Sequence, residues 1–231
     1  MSGKRISRAI FSCAVVLAFV LVGVASAEKK SKAKKDTKTA AAPADAADPL
    51  RAQLEGKSPQ EKIDALNLMI DDGKATREVY FHLGNAKFES GDAAGAAGAF
   101  EKAVEMDSTY FKAIVNLGLM YDEQQNFTKA IETFEHASRL EPQNPDVWSH
   151  LGNTYTTQGN HAKAAELYRK ALAIDPNAVH ALYSMGVAFA DAGIFREAVQ
   201  YWTRVKELDP NGELGKNATE NVELVKKYLI P

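Results

Sequence analysis

Side chains capable of nucleophilic or metal-dependent chemistry are few in this sequence of 231 residues. The single cysteine, Cys13, lies in an apolar run near the N-terminus, and the chain has five histidines. The sequence contains no G-x-S-x-G nucleophile motif, no H-E-x-x-H zinc motif and no Walker phosphate loop. We therefore predict no catalytic residues, no cofactor and no metal site, and we expect a binding function instead.

The charge of the chain argues against one class of partner. After residue 38 the sequence has 19 basic and 28 acidic residues, a net charge of -9. Nucleic-acid binding requires lysines and arginines clustered on one face, which neutralise the phosphates. We therefore expect a protein partner and no nucleic acid.

The first 27 residues have the three-part layout of a secretory signal peptide. Met1–Arg8 is basic, Ala9–Val24 is an uncharged apolar run, and Ala25–Ala27 is a small-x-small cleavage site. The run is shorter than the roughly 20 residues of a comfortable membrane-spanning helix. We predict cleavage after Ala27 and a periplasmic or secreted protein.

An anchor in the inner membrane is the alternative. Six lysines between residues 29 and 38 directly follow the apolar run, and such a flank tends to stay in the cytoplasm. Residues 9–24 would then associate with the membrane uncleaved. In either case we predict a disordered linker over residues 28–56, because the Lys/Ala-rich stretch offers little surface to bury. Its lysines are a candidate tether to anionic lipid or cell-wall polymer.

Internal repeats organise the remainder of the chain. Gly84, Gly118, Gly152 and Gly186 follow one another at intervals of 34 residues, and each comes after Leu or Met. The clearest unit carries Trp148, Leu151, Gly152, Tyr155, Ala164, Tyr168, Ala171 and Pro176. This unit resembles the tetratricopeptide repeat family, with its W-x2-L-G-x2-Y, A-x3-F and P pattern.

The resemblance implies an all-α fold, an α-solenoid of four helix-turn-helix repeats with N- and C-terminal capping helices. Gly and Ala at matching positions let the paired helices approach, and Phe100, Phe134, Tyr168 and Trp202 pack around them. The predicted units are an N-terminal capping helix at 57–76, repeats at 77–110, 111–144, 145–178 and 179–212, and a C-terminal capping helix at 213–231.

Turn residues and departures from the repeat pattern give two finer expectations. Gly91, Gly159 and Gly193 mark the turns inside three units, and in the second unit we expect Asn126 to supply the left-handed conformation. Gly95 and Gly98 each cost about 1 kcal/mol against alanine, so we expect the second helix of the first unit to be the softest.

In this family the first helices of successive units line a concave groove that holds extended peptides or partner helices. By register, the candidate groove residues are Phe81, His82, Asn85, Lys112, Asn116, Leu119, Asp146, His150, Asn153, His180, Tyr183 and Val187. Asn85 and Asn116 match two asparagines of the family's carboxylate clamp, but the basic positions of that clamp fall on Phe81, Asp146 and His150. We therefore expect no chaperone-tail clamp.

Histidines at three groove positions admit metal binding or pH-gated release, but ordinary polar groove residues are the simpler interpretation. We predict a non-catalytic scaffold of the bacterial cell envelope that supports assembly, secretion or biogenesis of an envelope complex. Two alternatives remain: a self-assembling structural repeat protein, and a membrane-anchored adaptor that faces the cytoplasm.

Overall fold

The computed structural model describes residues 48–228, and all regular secondary structure in that range is helical. The predicted signal peptide or anchor, most of the predicted linker and residues 229–231 lie outside these residues. The helices are α1 Pro49–Leu54, α2 Pro59–Asp71, α3 Arg77–Glu89, α4 Ala93–Met106, α5 Phe111–Glu123, α6 Phe127–Leu140, α7 Pro145–Thr157, α8 His161–Ile174, α9 Val179–Asp191, α10 Phe195–Leu208 and α11 Glu213–Tyr228. None of the described helices combines the length and apolarity that a membrane crossing requires.

Four helix pairs recur with the period of the sequence. Their first helices begin at residues 77, 111, 145 and 179, and their second helices at 93, 127, 161 and 195, in steps of 34. Each first helix packs on its own second helix, and each second helix packs on the next first helix. The predicted α-solenoid of tetratricopeptide-like pairs is confirmed.

In each pair, a glycine of the first helix lies against an aromatic ring of the second. The contacts are Gly84 with Phe100, Gly118 with Phe134, Gly152 with Tyr168 and Gly186 with Trp202. A Cβ atom at Gly118 would lie 2.6 Å from a ring carbon of Phe134, well inside van der Waals contact. The glycines are therefore required by close packing.

Capping side chains begin the second helices of the first three units. Asp92, Asn126 and Asn160 each accept a hydrogen bond from the backbone N–H three residues later. The expectation for Asn126 was wrong: its φ is -86°, and Gln125 takes the left-handed conformation with φ 59°. Gln125, not Asn126, matches the turn glycines at steps of 34, so the turn needs its left-handed residue there.

The predicted linker is wrong at its C-terminal end. Residues 49–54 form helix α1, although the linker was expected to continue to residue 56. Asp48 caps this helix by accepting hydrogen bonds from the N–H groups of Leu50 and Arg51. Leu50 and Leu54 are buried in a cluster that includes Leu66 of α2 and residues of α3, and this burial orders the segment.

Further helices cover the two ends of the four-pair array. At the N-terminal end, α2 begins at a capping box formed by Ser58 and Glu61 and packs on α3, with Leu66 fully buried. At the C-terminal end, α11 packs on α10 and buries Ala218, Val222 and Val225. Both helices hide apolar faces that would otherwise contact water.

Candidate partner-binding site

The twelve candidate groove residues lie on the first helices of the four pairs. Each of α3, α5, α7 and α9 contributes three of them. We call this face of the four helices the first-helix wall. Because the helices repeat in register, residues such as His82, Asn116 and His150 occupy equivalent positions along it.

A pocket of about 340 Å³ opens into the first-helix wall. Its lining residues come from three successive units: Phe81, Phe111, Lys112, Val115, Asn116, Asn144, Asp146, Val147 and His150. Five of the twelve sequence-predicted residues are among them, namely Phe81, Lys112, Asn116, Asp146 and His150. The structure thus brings predicted residues of α3, α5 and α7 together around one recess.

The apolar residues of the pocket pack against other side chains of the protein. The Phe81 ring lies 5.3 Å from the ring of Tyr110 and 5.9 Å from that of Phe100, measured between centroids. Val147 is only 1% exposed and clusters with Ile114 and Ala137. Side chains packed in this way keep the shape of the recess fixed.

His150 is one of the polar residues that line the pocket. Its ring stacks on Phe134 with 5.5 Å between centroids and 16° between planes, and the ring of His180 lies 6.4 Å away. Burial lowers the pKa of His150, the charge of His180 lowers it further, and the Asp146 carboxylate opposes both. This shift favours the neutral imidazole, which offers one hydrogen-bond donor and one acceptor.

The asparagines of the wall form hydrogen bonds within and between units. Asn116 Nδ2 donates to Asn85 Oδ1 at 3.0 Å, which links α5 to α3. Asn153 Oδ1 accepts from Ser184 Oγ at 2.9 Å and from the Tyr168 hydroxyl at 2.7 Å. The amide oxygens of Asn85 and Asn153 are thus engaged within the chain.

At the N-terminal end of the wall, His82 is bound by a residue that precedes the repeats. His82 Nε2 and Asp48 Oδ2 are 2.6 Å apart. Burial acts to raise the pKa of the Asp48 carboxyl, but the hydrogen bond with His82 and the backbone donors of α1 hold it below its usual value. This hydrogen bond therefore joins the start of α1 to the first-helix wall.

At the C-terminal end, α11 contacts one further predicted residue, Tyr183. Asn221 Nδ2 donates to the Tyr183 hydroxyl at 3.3 Å. Tyr183 and Val187 pack against the cluster that contains Val222 and Val225. Leu119 is likewise half-buried, against the central core. His180 is exposed, close to His150.

Four pocket residues were not among the sequence predictions: Phe111, Val115, Asn144 and Val147. Asn144 caps α7 by accepting from the N–H of Asp146, so the sequence presents it only as a turn residue. Val147 shares its register position with the buried Val79, Ala113 and Ala181, which indicates core packing. Among residues 48–228, no group of three or more His, Cys, Asp or Glu side chains is placed to hold a metal ion.

Known proteins give two kinds of similarity. The tetratricopeptide repeat model matches residues 81–145, 115–179 and 151–213, together more than half of the chain. No curated protein matches it significantly. Among solved structures, a crystal structure of MamA is 26% identical, with 78% of this chain and 96% of that chain covered and a TM-score of 0.58.

A second solved structure shows similarity of fold alone. It is MamA from Desulfovibrio magneticus RS-1, from residue 41 to the end, and is 21% identical. It covers 71% of this chain and 93% of that chain with a TM-score of 0.62. The repeat period, the glycine–aromatic contacts and the matched model agree, and the chain belongs to the tetratricopeptide repeat family.

Proposed function

We propose that this protein is a non-catalytic scaffold that binds a peptide or helix of another protein on its first-helix wall. The tetratricopeptide fold is a protein-interaction fold, which supports the general class. The observation that carries the specific proposal is the pocket, because side chains from three successive units line it together.

The chemistry of the wall suits a polypeptide ligand. The pocket combines aromatic and aliphatic side chains with an amide and a neutral imidazole, and such mixtures fix the orientation of a bound chain. Lys112 and Asp146 carry opposite charges, so the lining has no excess of positive charge to attract phosphates. A protein segment fits this surface better than a nucleic acid does.

The proposed location is the bacterial cell envelope, and it rests on the sequence of residues 1–27. Cleavage after Ala27 would give a periplasmic or secreted scaffold, and retention of residues 9–24 would give an adaptor anchored in the inner membrane. N-terminal sequencing of the purified protein separates the two outcomes. An N-terminus at Glu28 supports export, and an intact Met1 contradicts it.

Photo-crosslinking in living cells tests the binding function. A photoreactive amino acid at position 150 should capture a partner protein, whereas the same residue at Glu132, exposed on α6, should not. Equal capture from both positions, or none from 150, would contradict binding on the wall. Capture of a second copy of the chain would favour self-association instead.

Substitution of wall residues gives an independent test. Asn116→Glu and His150→Glu place bulky acids at the pocket and should abolish co-purification of the captured partner. Circular dichroism must show that both variants remain helical. Undiminished co-purification would argue that the partner binds elsewhere.

A further inference from the structure

We propose that His150 and His180 together bind one divalent transition-metal ion of the Zn²⁺, Ni²⁺ or Cu²⁺ class. The proposal goes beyond the partner-binding function, because an ion can bind here whether or not a protein occupies the wall. Three observations carry it: the two imidazoles lie close together on neighbouring units, their nitrogens form no hydrogen bond within residues 48–228, and a carboxylate lies one helical turn away.

The stacking of the units brings the two histidines together. His150 lies on α7 and His180 on α9, and their ring centroids are 6.4 Å apart with 45° between the ring planes. The same separation in sequence pairs His82 with a lysine and Asn116 with an aspartate. Of these three equivalent pairs along the wall, the one between α7 and α9 alone offers two imidazoles, which are good ligands for zinc, nickel and copper.

The distance between the rings fits a shared ion after a small side-chain movement. Two imidazole nitrogens at about 2.0–2.1 Å from a tetrahedral zinc ion place their ring centroids roughly 5–5.5 Å apart, about 1 Å closer than the two rings are. His180 is exposed and can rotate, whereas His150 is stacked on Phe134. We therefore expect His150 to be the fixed ligand and His180 to close the distance.

The ring nitrogens of both histidines are available for coordination. Within residues 48–228, no group forms a hydrogen bond with either ring. By contrast, His82 Nε2 lies 2.6 Å from Asp48 Oδ2. A neutral imidazole coordinates a metal ion through the lone pair of one nitrogen. His150 and His180 can therefore bind an ion without losing an existing hydrogen bond.

A carboxylate near the pair adds a favourable charge. Asp146 is exposed in the first turn of α7 and precedes His150 by four residues, so both lie on one face of the helix. Lys112 lines the same pocket, and its charge opposes that of Asp146. The affinity must therefore come mainly from the two imidazole nitrogens, and Asp146 makes a smaller contribution through space.

The remaining coordination positions of the ion are left to water. Within residues 48–228, no third His, Cys, Asp or Glu side chain completes a metal-binding group. A site with two protein ligands binds less tightly than a structural zinc site with four. We expect Cu²⁺ to bind more tightly than Zn²⁺ or Ni²⁺, as the usual order of affinities for nitrogen ligands predicts.

Isothermal titration calorimetry with ZnCl₂ tests the site on the full-length chain. His150→Gln and His180→Gln should each weaken binding by roughly tenfold or more, since even changes behind the ligands cost that much in metal sites. Asp146→Asn should weaken it less. His136→Gln, on α6, is the matched control and should bind as the wild type does. No binding by the wild type, or equal binding by the wild type and both pair variants, would overturn the proposal.

Electron paramagnetic resonance with one equivalent of CuCl₂ identifies the ligands directly. The wild-type spectrum should show hyperfine coupling to two imidazole nitrogens, and His180→Gln should leave coupling to one. Because His180 is exposed, this variant keeps the fold and stays informative even if His150→Gln does not fold. A spectrum that neither substitution alters would place the ion elsewhere and contradict the proposal.

Thermal unfolding gives a third readout. An ion that binds the folded chain should raise its melting temperature by mass action. We expect ZnCl₂ to raise the melting temperature of the wild type and of His136→Gln, and to leave that of His180→Gln nearly unchanged. An equal rise in all three proteins would argue against the histidine pair.

Discussion

The first-helix wall has covered ends and an open middle. At one end, Asp48 binds His82, and at the other, Asn221 binds Tyr183. Between them, Asn116 and His150 line the pocket. His82, Asn116 and His150 share one register position. Of the three, His82 is bound by Asp48, a residue that precedes the repeats. Register therefore decides which face a residue lies on, and the flanking helices decide whether a partner can reach it.

The covered end and the open middle should differ most in the free energy of unfolding that is lost when an aromatic residue is replaced by alanine. Trp202 is 4% exposed beneath α11, so Trp202→Ala should lower the free energy of unfolding by about 3–5 kcal/mol. Phe111→Ala should cost only about 1–2 kcal/mol, because part of its ring faces the pocket. Urea denaturation measures both values, and equal losses would contradict the distinction.

The close contact between Gly118 and Phe134 predicts the next largest effect on the free energy of unfolding. In Gly118→Ala the added methyl group would push on Phe134, on whose ring His150 stacks. We expect a loss of about 1–3 kcal/mol in the free energy of unfolding, together with weaker capture of a partner by crosslinking from position 150. Gly186→Ala, which crowds Trp202 at the covered end, is the matched control and should lower the free energy of unfolding without changing capture from position 150.

Removing the contact between Asp48 and His82 should have a smaller effect on the free energy of unfolding. Asp48→Ala removes both the cap of α1 and the bond to His82, and we expect a loss of about 1 kcal/mol. Hydrogen exchange should show faster exchange in α1 with little change in α7. Glu55→Ala, at the exposed end of the same helix, is the control. Faster exchange in α7 would contradict the expectation that the Asp48–His82 contact stabilises only the N-terminal end of the wall.

Helix α4 allows the first unit to be stabilised without touching the pocket. A Cβ atom at Gly98 meets nothing within 4 Å, so Gly98→Ala should raise the free energy of unfolding by about 0.4–1 kcal/mol. Gly95→Ala should not, because its Cβ would lie 2.0 Å from the capping Asp92 carboxylate. Thermal denaturation followed by circular dichroism compares the two variants, and a stabilising Gly95→Ala would contradict the steric argument.

The smallest effect that we expect is a pH dependence from His150 in the middle of the wall. Its folded pKa lies below 6.5, chiefly through burial and then through His180, while Asp146 acts in the opposite direction. The stability that the neutral imidazole provides is therefore complete above pH 6.5. It declines as the pH falls from 6.5 to the folded pKa, because the unfolded chain takes up the proton first.

Unfolding in urea at pH 8.0, 6.5 and 5.5 measures this dependence. The wild-type chain should lose more stability on acidification than His150→Gln does. His180→Gln should reduce the effect in part, because it removes one source of the lowered pKa. A larger acid loss in His150→Gln than in the wild type would show that the sign is wrong.

The helix pairs could be predicted from sequence because identical contacts recur in every unit. Gly118 with Phe134 and Gly152 with Tyr168 are the same contact one period apart. The site could be predicted only in part, because its decisive contacts come from outside the period. Nothing in the repeat indicates that Asp48 reaches His82 or that Asn221 reaches Tyr183. Val115 was missed although it shares its register position with Phe81 and Tyr183, two candidate groove residues, and the recess beside it arises from the sizes of neighbouring side chains.

The terminal helices α2 and α11 have a consequence for the number of repeat units in the array. Helix α2 occupies the face of α3 on which a preceding unit would stack, and α11 does the same for α10. Stacking of a further unit on either of these faces would therefore require α2 or α11 to be displaced. The number of units is encoded in the gene, and a longer scaffold would arise by internal duplication of a 34-residue module between the two terminal helices.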